Sequence, residues 1–170
     1  GGGGDMTVGQ LDVIGAAGSD SGSRRRNLTG SDLTLAADGE MLVNGAVSLT
    51  SAGSNDRLTL SADGRIRVDT ATGSVRLAGQ GSGLGGTLVM DAPTIFVGTS
   101  QAWTDIQALS GIDAKTQRLG RNDGVNNPDG FLRANAIEFR ASGGIYVQNS
   151  GTDTRPTAER AGFTAGPGGV

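Results

Sequence analysis

The chain of 170 residues contains no cysteine and no histidine. Without cysteine it can form no disulfide, no thiolate nucleophile and no cysteine-ligated metal site. Without histidine it lacks the Ser-His-Asp triad, histidine metal ligands and the side chain that most often acts as a general base near neutral pH. Carboxylates are the groups left for catalysis, so the composition excludes most common enzyme chemistries and favours a protein that is not an enzyme.

Aromatic residues, basic charge and long apolar runs are also scarce. Aromatics make up 4% of the chain and the formal net charge is −3. The low aromatic content disfavours a globular core built on aromatic anchors, and the absence of a concentrated basic footprint gives no reason to expect a nucleic-acid partner. No apolar run approaches the roughly 20 residues of a membrane-spanning helix. The chain opens with GGGGDM rather than a signal peptide, so we expect a fragment of a longer chain or a processed product.

Glycine is abundant, with 31 residues, and it takes part in a repeated pattern. The segments LTLAADGEMLV (33–43), LTLSADGRIRV (58–68) and IEFRASGGIYV (137–147) each place two large apolar residues, an alanine, a glycine and two large apolar residues at alternate positions. Successive side chains in a strand point to opposite faces, so this set is predicted to face a core. The predicted inward residues are Leu33, Leu35, Ala37, Gly39, Met41, Val43, Leu58, Leu60, Ala62, Gly64, Ile66, Val68, Ile137, Phe139, Ala141, Gly143, Ile145 and Val147.

The small middle of each copy predicts a corner between two short strands, because glycine relaxes the backbone and alanine leaves room inside. Copies recur every 22 to 30 residues, counting weaker ones; their first residues are Leu11, Leu33, Leu58, Leu88, Ile112 and Ile137. This period is typical of a solenoid, whereas a propeller blade needs about 40 to 50 residues. We therefore predict an all-β fold, a single β-solenoid over residues 1–170. Its rungs of 22–30 residues would stack as parallel strands about 4.8 Å apart.

Residues 98–130 are the least regular part of the chain, and we predict a loop or a short helix within them. Thr104 followed by Gln107 resembles a capping box, and Trp103, Ile106 and Leu109 recur at helical spacing. An irregular rung is the alternative interpretation.

The segment GRNDGVNNPDG (120–130) predicts a projecting loop. Its Asp123 and Asp129 could offer oxygen ligands to calcium, although the order of residues matches neither an EF-hand loop nor the G-G-x-G-x-D repeat. A calcium-stabilised extracellular module therefore stays open as an alternative function.

Carboxylates on the predicted outer face define a second alternative. Asp38, Asp63 and Asp69 alternate outward, so acids on neighbouring rungs could approach each other as in β-helix polysaccharide hydrolases and lyases. The outward positions also carry Arg65, Arg67 and Arg76, and this mixture indicates cross-strand charge pairing on a solvated sheet more simply than it indicates catalysis. We assign no catalytic, cofactor-binding or metal-binding residue.

The segments LTLSADGRIRVDTATGSVRL, TQRLGRNDGVNNPDGFLRANAIEF and GIYVQNSGTDTRPTAERAGFTAG resemble the repeat regions of filamentous-haemagglutinin-like large exoproteins of Gram-negative bacteria. The resemblance covers most of the chain from about residue 28. It implies a right-handed parallel β-helix that a partner transporter secretes across the outer membrane. It further implies display at the cell surface as a fibre or adhesin, with end-to-end stacking or self-association and a host-surface or carbohydrate ligand as its expected partners.

Overall fold

The computed structural model describes residues 4–14, 32–50, 55–79, 83–107, 131–147 and 163–169. Nearly all of the regular structure in them is β-strand. The strands are β1 (Met6–Val8), β2 (Leu11–Ile14), β3 (Asp32–Ala37), β4 (Glu40–Val43), β5 (Ala46–Thr50), β6 (Arg57–Ala62), β7 (Arg65–Asp69), β8 (Ser74–Leu77), β9 (Thr87–Asp91), β10 (Thr94–Gly98), β11 (Leu132–Arg140), β12 (Gly144–Val147) and β13 (Phe163–Gly169). A short helix, α1 (Ser100–Gln107), follows β10.

The strands form three stacks, and the chain visits the stacks in turn. We call one pass of the chain through the three stacks a circuit. The first stack is β3-β6-β9 followed by the C-terminal half of β11, the second is β1-β4-β7-β10-β12, and the third is β2-β5-β8 followed by the N-terminal half of β11 and by β13. All pairings between these strands are parallel. Because β11 belongs to both the first and the third stack, it joins them into one sheet. The prediction of an all-β fold with parallel strands is confirmed.

Equivalent side chains of successive circuits lie directly above one another. In the first stack Leu33, Leu58, Leu88 and Ile137 form one column. In the second stack one column contains Met6, Met41, Ile66, Ile95 and Ile145, and the next contains Val8, Val43, Val68, Val97 and Val147. Most of these side chains belong to one apolar core, and each fully buried aliphatic side chain stabilises the fold by roughly 1.5–3 kcal/mol.

The corners between first-stack and second-stack strands fall where the Ala-x-Gly pattern predicts them. Strand β3 ends at Ala37 and β4 begins at Glu40, while β6 ends at Ala62 and β7 begins at Arg65. The glycine of each corner is needed for close approach rather than for a left-handed backbone. A Cβ on Gly64 would lie 2.9 Å from the carbonyl oxygen of Gly39 in the circuit before it.

Two sequence predictions about the rungs are wrong. Leu11 pairs with Val47 in the third stack instead of beginning a first-stack rung, since the same apolar alternation serves all three stacks. Leu88 pairs directly with Ile137, so β9 and β11 are neighbours in the first stack, and the rung predicted near Ile112 lies outside the described residues. Ile145, predicted to face inward, is 45% exposed because β12 is the last strand of its stack.

The short helix predicted within 98–130 is present as α1, but it begins earlier than the predicted capping box. Thr99 caps it: the Thr99 hydroxyl accepts a hydrogen bond from the backbone N–H of Ala102 at 3.3 Å, as N-cap threonines do. The Thr104 hydroxyl instead donates to the carbonyl oxygen of Ser100 at 3.1 Å within the helix.

Candidate functional site

The three outward carboxylates singled out in the sequence do not form one site. Asp38 and Asp63 occupy equivalent corners of neighbouring circuits, after β3 and after β6, whereas Asp69 is the last residue of β7. The Asp69 carboxylate accepts hydrogen bonds from the Ser100 hydroxyl at 2.7 Å and from the backbone N–H of Ala71 at 3.1 Å. Asp69 therefore fixes the start of α1, and Asp63 lies at the opposite end of the same strand.

Asp63 instead lies in a cleft that runs across three successive corners. The cleft has a volume of about 460 Å³. It is lined by Ser61, Ala62, Asp63, Asp91, Ala92, Pro93, Arg140, Ala141 and Ser142. These residues come from the ends of β6, β9 and β11 and from the corners that follow, because parallel in-register stacking puts Ser61 beside Asp91 and Asp91 beside Arg140. We call this site the corner cleft.

The charges at the corner cleft form a short network on the outer face of the first stack. Arg140 Nε donates to Glu138 Oε1 at 2.8 Å, and Arg140 Nη1 lies 3.7 Å from Asp91 Oδ2. Arg57 Nη1 lies 3.9 Å from Glu138 Oε2. The hydrogen bond from Arg140 is the largest cause of a lowered pKa for Glu138; desolvation opposes it, and the charges of Arg140 and Arg57 lower the pKa further. In turn the hydrogen bond to Glu138 raises the pKa of Arg140.

The lowered pKa of Glu138 disfavours this residue as a general acid. A general acid at neutral pH needs a carboxyl pKa well above its usual value, and the pKa of Glu138 moves in the opposite direction. Glu138 is thus held as an ionised hydrogen-bond acceptor that orients Arg140. The chemistry available in the cleft is an assembly of carboxylate, guanidinium and hydroxyl groups that can hold a polar ligand.

A second cluster covers the outer face of the second stack. Trp103 of α1 packs against Phe96, with ring centroids 5.2 Å apart. The guanidinium carbons of Arg65 and Arg67 lie 5.1 and 5.4 Å from the centroid of the Trp103 ring, within cation–π range. Glu40 pairs with both arginines, at 2.7 Å for Arg67 Nε. We call these five residues the Trp103 cluster; it attaches α1 to the sheet.

Arg65 and Arg67 do pair across neighbouring strands, but with Glu40 rather than with the aspartates considered in the sequence. Arg76 lies beside Ser48 and Arg133 on the third stack. The sequence did not indicate that Asp91 and Arg140 lie beside Asp63. The available signal was the alignment of 58–68 with 88–97 and 137–147, whose corners fall at equivalent positions of the repeated pattern.

The calcium alternative rests on Asp123 and Asp129, which lie outside the described residues. Within the ranges that the structure describes, no three acidic side chains come together as a metal site. In the same ranges, no helix is long and apolar enough to span a membrane.

No protein-family model, curated protein or solved structure matches this chain.

Proposed function

We propose that the chain is a stretch of a right-handed parallel β-helix that serves as the shaft of an extracellular fibre or adhesin, with no catalytic role. The observation that carries the proposal is the valine column of the second stack. Val8, Val43, Val68, Val97 and Val147 lie in register on five successive parallel strands.

Columns of this kind allow the stack of strands to be lengthened along one axis. Each circuit pairs its backbone with the circuits before and after it and adds its own side chains to the continuous core. The stability of such an array is approximately a sum over circuits and their interfaces, so a longer rod needs only more circuits. Length and stiffness are the properties that a fibre or a surface-display shaft requires.

The partly buried residues at the two ends of the core are consistent with further stacking. Leu33 and Leu35 on β3, and Phe139 and Val147 on β11 and β12, pack against the core without being fully buried. Additional circuits or another copy of the chain would bury them, which supports self-association as part of the proposed function.

The cellular setting is proposed from the resemblance of segments such as 58–77 to filamentous-haemagglutinin-like exoproteins. Secretion across the outer membrane and display on a Gram-negative cell surface are what that resemblance implies for this chain.

Electron microscopy of the native material and X-ray diffraction from aligned fibres test the proposal. We expect rods in the micrographs and a reflection near 4.8 Å along the axis of aligned rods, which is the spacing between stacked strands. Compact particles without rods in the micrographs would contradict the shaft function.

A further inference from the structure

Asn44 and Gly45 form the two-residue corner that joins β4 of the second stack to β5 of the third. They are the chain's single Asn-Gly dipeptide. Asn44 is exposed, and a glycine carries no side chain that would shield its own backbone nitrogen. Asparagine is one of the chemically labile residues of proteins. In this dipeptide its side-chain amide therefore lies next to an unshielded backbone nitrogen.

The backbone hydrogen bonds of this corner leave the Gly45 nitrogen available. The Asn44 N–H donates to the carbonyl oxygen of Val8 in the preceding circuit at 3.1 Å. The Gly45 carbonyl oxygen accepts a hydrogen bond from the N–H of Ser74 in the following circuit at 3.2 Å. In the ranges that the structure describes, no backbone carbonyl accepts the Gly45 N–H. The corner is held at both ends, and the nitrogen between them can react without breaking a backbone hydrogen bond.

Comparable dipeptides elsewhere in the described ranges are protected. In two Asp-Gly corners, the N–H groups of Gly39 and Gly64 donate to carbonyl oxygens of the preceding circuit at 3.2 and 2.9 Å. Asn135 is half-buried in β11. It is followed by Ala136, whose N–H donates to the carbonyl oxygen of Gly86 at 3.1 Å. Each of these nitrogens must first leave a hydrogen bond before it can react.

We propose that Asn44 is a site of spontaneous deamidation. The Gly45 nitrogen attacks Asn44 Cγ, so that an N–Cγ bond forms and the Cγ–Nδ2 bond breaks. The proton of the Gly45 nitrogen leaves with the amide group as ammonia, and a succinimide ring remains. Water then opens the ring. Cleavage between the nitrogen and Cγ gives aspartate, whereas cleavage between the nitrogen and the main-chain carbonyl carbon gives isoaspartate.

The two products have different consequences for the fold. Aspartate leaves the backbone unchanged and adds a negative charge at an exposed position. Isoaspartate routes the main chain through Cγ and inserts an extra backbone atom before the Gly45 nitrogen. The corner has no room for it, because even a Cβ added to Gly45 would collide with the carbonyl oxygen of Gly9. Isoaspartate should therefore weaken the junction between the second and third stacks, in a single chain and whether or not the chain forms a shaft.

Peptide mapping by mass spectrometry tests the site after incubation of the folded 170-residue chain at neutral pH. We expect conversion at Asn44 to be at least about tenfold faster than at Asn135, because the Ala136 N–H must first leave its hydrogen bond. Asn44→Gln should remove this early conversion, since the longer side chain closes a ring far more slowly. Asn135→Gln is the matched control and should leave conversion at Asn44 unchanged.

The two products are then separated by chromatography and unfolded in urea. The isoaspartyl form should have a lower urea midpoint than the unmodified chain. The aspartyl form should unfold like the variant Asn44→Asp, at nearly the midpoint of the unmodified chain. Conversion at Asn44 no faster than at Asn135, an equal early mass gain in Asn44→Gln and the unmodified chain, or equal urea midpoints for the two products would overturn the inference.

Discussion

Glu138 accepts a hydrogen bond from Arg140 and lies near a second guanidinium, that of Arg57. Because its pKa is lowered in the folded protein, folding favours the ionised form. The contribution to stability is complete above the pKa of an ordinary glutamate and is lost as the pH falls through the lowered value. Glu138 is exposed to solvent, so this contribution is small.

We expect the Glu138 carboxyl resonance to titrate below the usual glutamate range in an NMR pH series. Arg140→Gln should move the midpoint upward, since Arg140 provides the largest cause of the shift. Arg57→Gln is the control and should move it less, because Arg57 is 3.9 Å away and acts by charge alone. Equal midpoints in the unmodified chain and in Arg140→Gln would contradict this account.

Gly64 shows why some glycines at corners cannot be replaced. A Cβ at this position would lie 2.9 Å from the carbonyl oxygen of Gly39, which also accepts a hydrogen bond from the Gly64 N–H at 2.9 Å. We expect Gly64→Ala to lower the free energy of unfolding by about 1–3 kcal/mol, as overpacking does. Gly9→Ala is the matched control, since nothing lies within 4 Å of its added Cβ. It should be neutral or stabilise by up to about 1 kcal/mol. Urea unfolding measures the free energy of unfolding of both variants. An equal decrease in the two would contradict the explanation by close approach of the stacked corners.

At the scale of elements, α1 depends on the sheet beneath it. A helix of eight residues is marginal by itself in water, so its contacts through the Trp103 cluster hold it in place. Trp103 is the chain's single tryptophan, and its fluorescence therefore reports on this attachment alone.

We expect the fluorescence of Trp103 to change at lower urea concentration than the far-UV circular dichroism of the strands. Phe96→Ala should lower the urea midpoint of the fluorescence change, because Phe96 contacts Trp103 on the outer face. It should lower the urea midpoint of the circular dichroism change by a smaller amount. Thr104→Ala, an exposed change on the same helix, should leave both midpoints nearly unchanged. Coincident transitions in the unmodified chain would show that α1 unfolds together with the sheets.

The elements that sequence analysis could predict are those with an unambiguous local pattern. Alternation across a small corner identified β3 with β4 and β6 with β7. The third-stack strands β5 and β8 were missed because AVSLT and SVRL are short and are flanked by Gly, Ser and Thr, which are typical of turns.

Which residues of different circuits become neighbours was harder to predict than where the strands lie. Asp63 was recognised as an outward carboxylate, but its position beside Asp91 and Arg140 depends on the register that the chain resumes after residues 99–131. Likewise, helical spacing indicated Trp103 but gave no information on which part of the sheet α1 contacts. Both relations arise from packing between segments that are distant in sequence.

At the scale of the whole molecule, the cost of a substitution should depend on its position along a column. Ile66 and Ile145 belong to the same column, but Ile66 is fully buried and Ile145 is 45% exposed. Ile66→Ala should lower the free energy of unfolding by about 2–5 kcal/mol. Ile145→Ala should change it by less than about 1 kcal/mol. Urea unfolding followed by circular dichroism measures both values. Similar losses at the two positions would mean that Ile145 is buried in solution, for example by another copy of the chain.

The chain leaves the second stack at Gly98 and returns to the third at Leu132, where Leu132 lies directly over Val75 as though nothing had intervened. The register of the later circuits is therefore independent of how many residues connect these two points. The free-energy cost of lengthening such a connection grows only slowly with its length. A connection of different length between α1 and Phe131 can thus join the same strands without changing which of them pair.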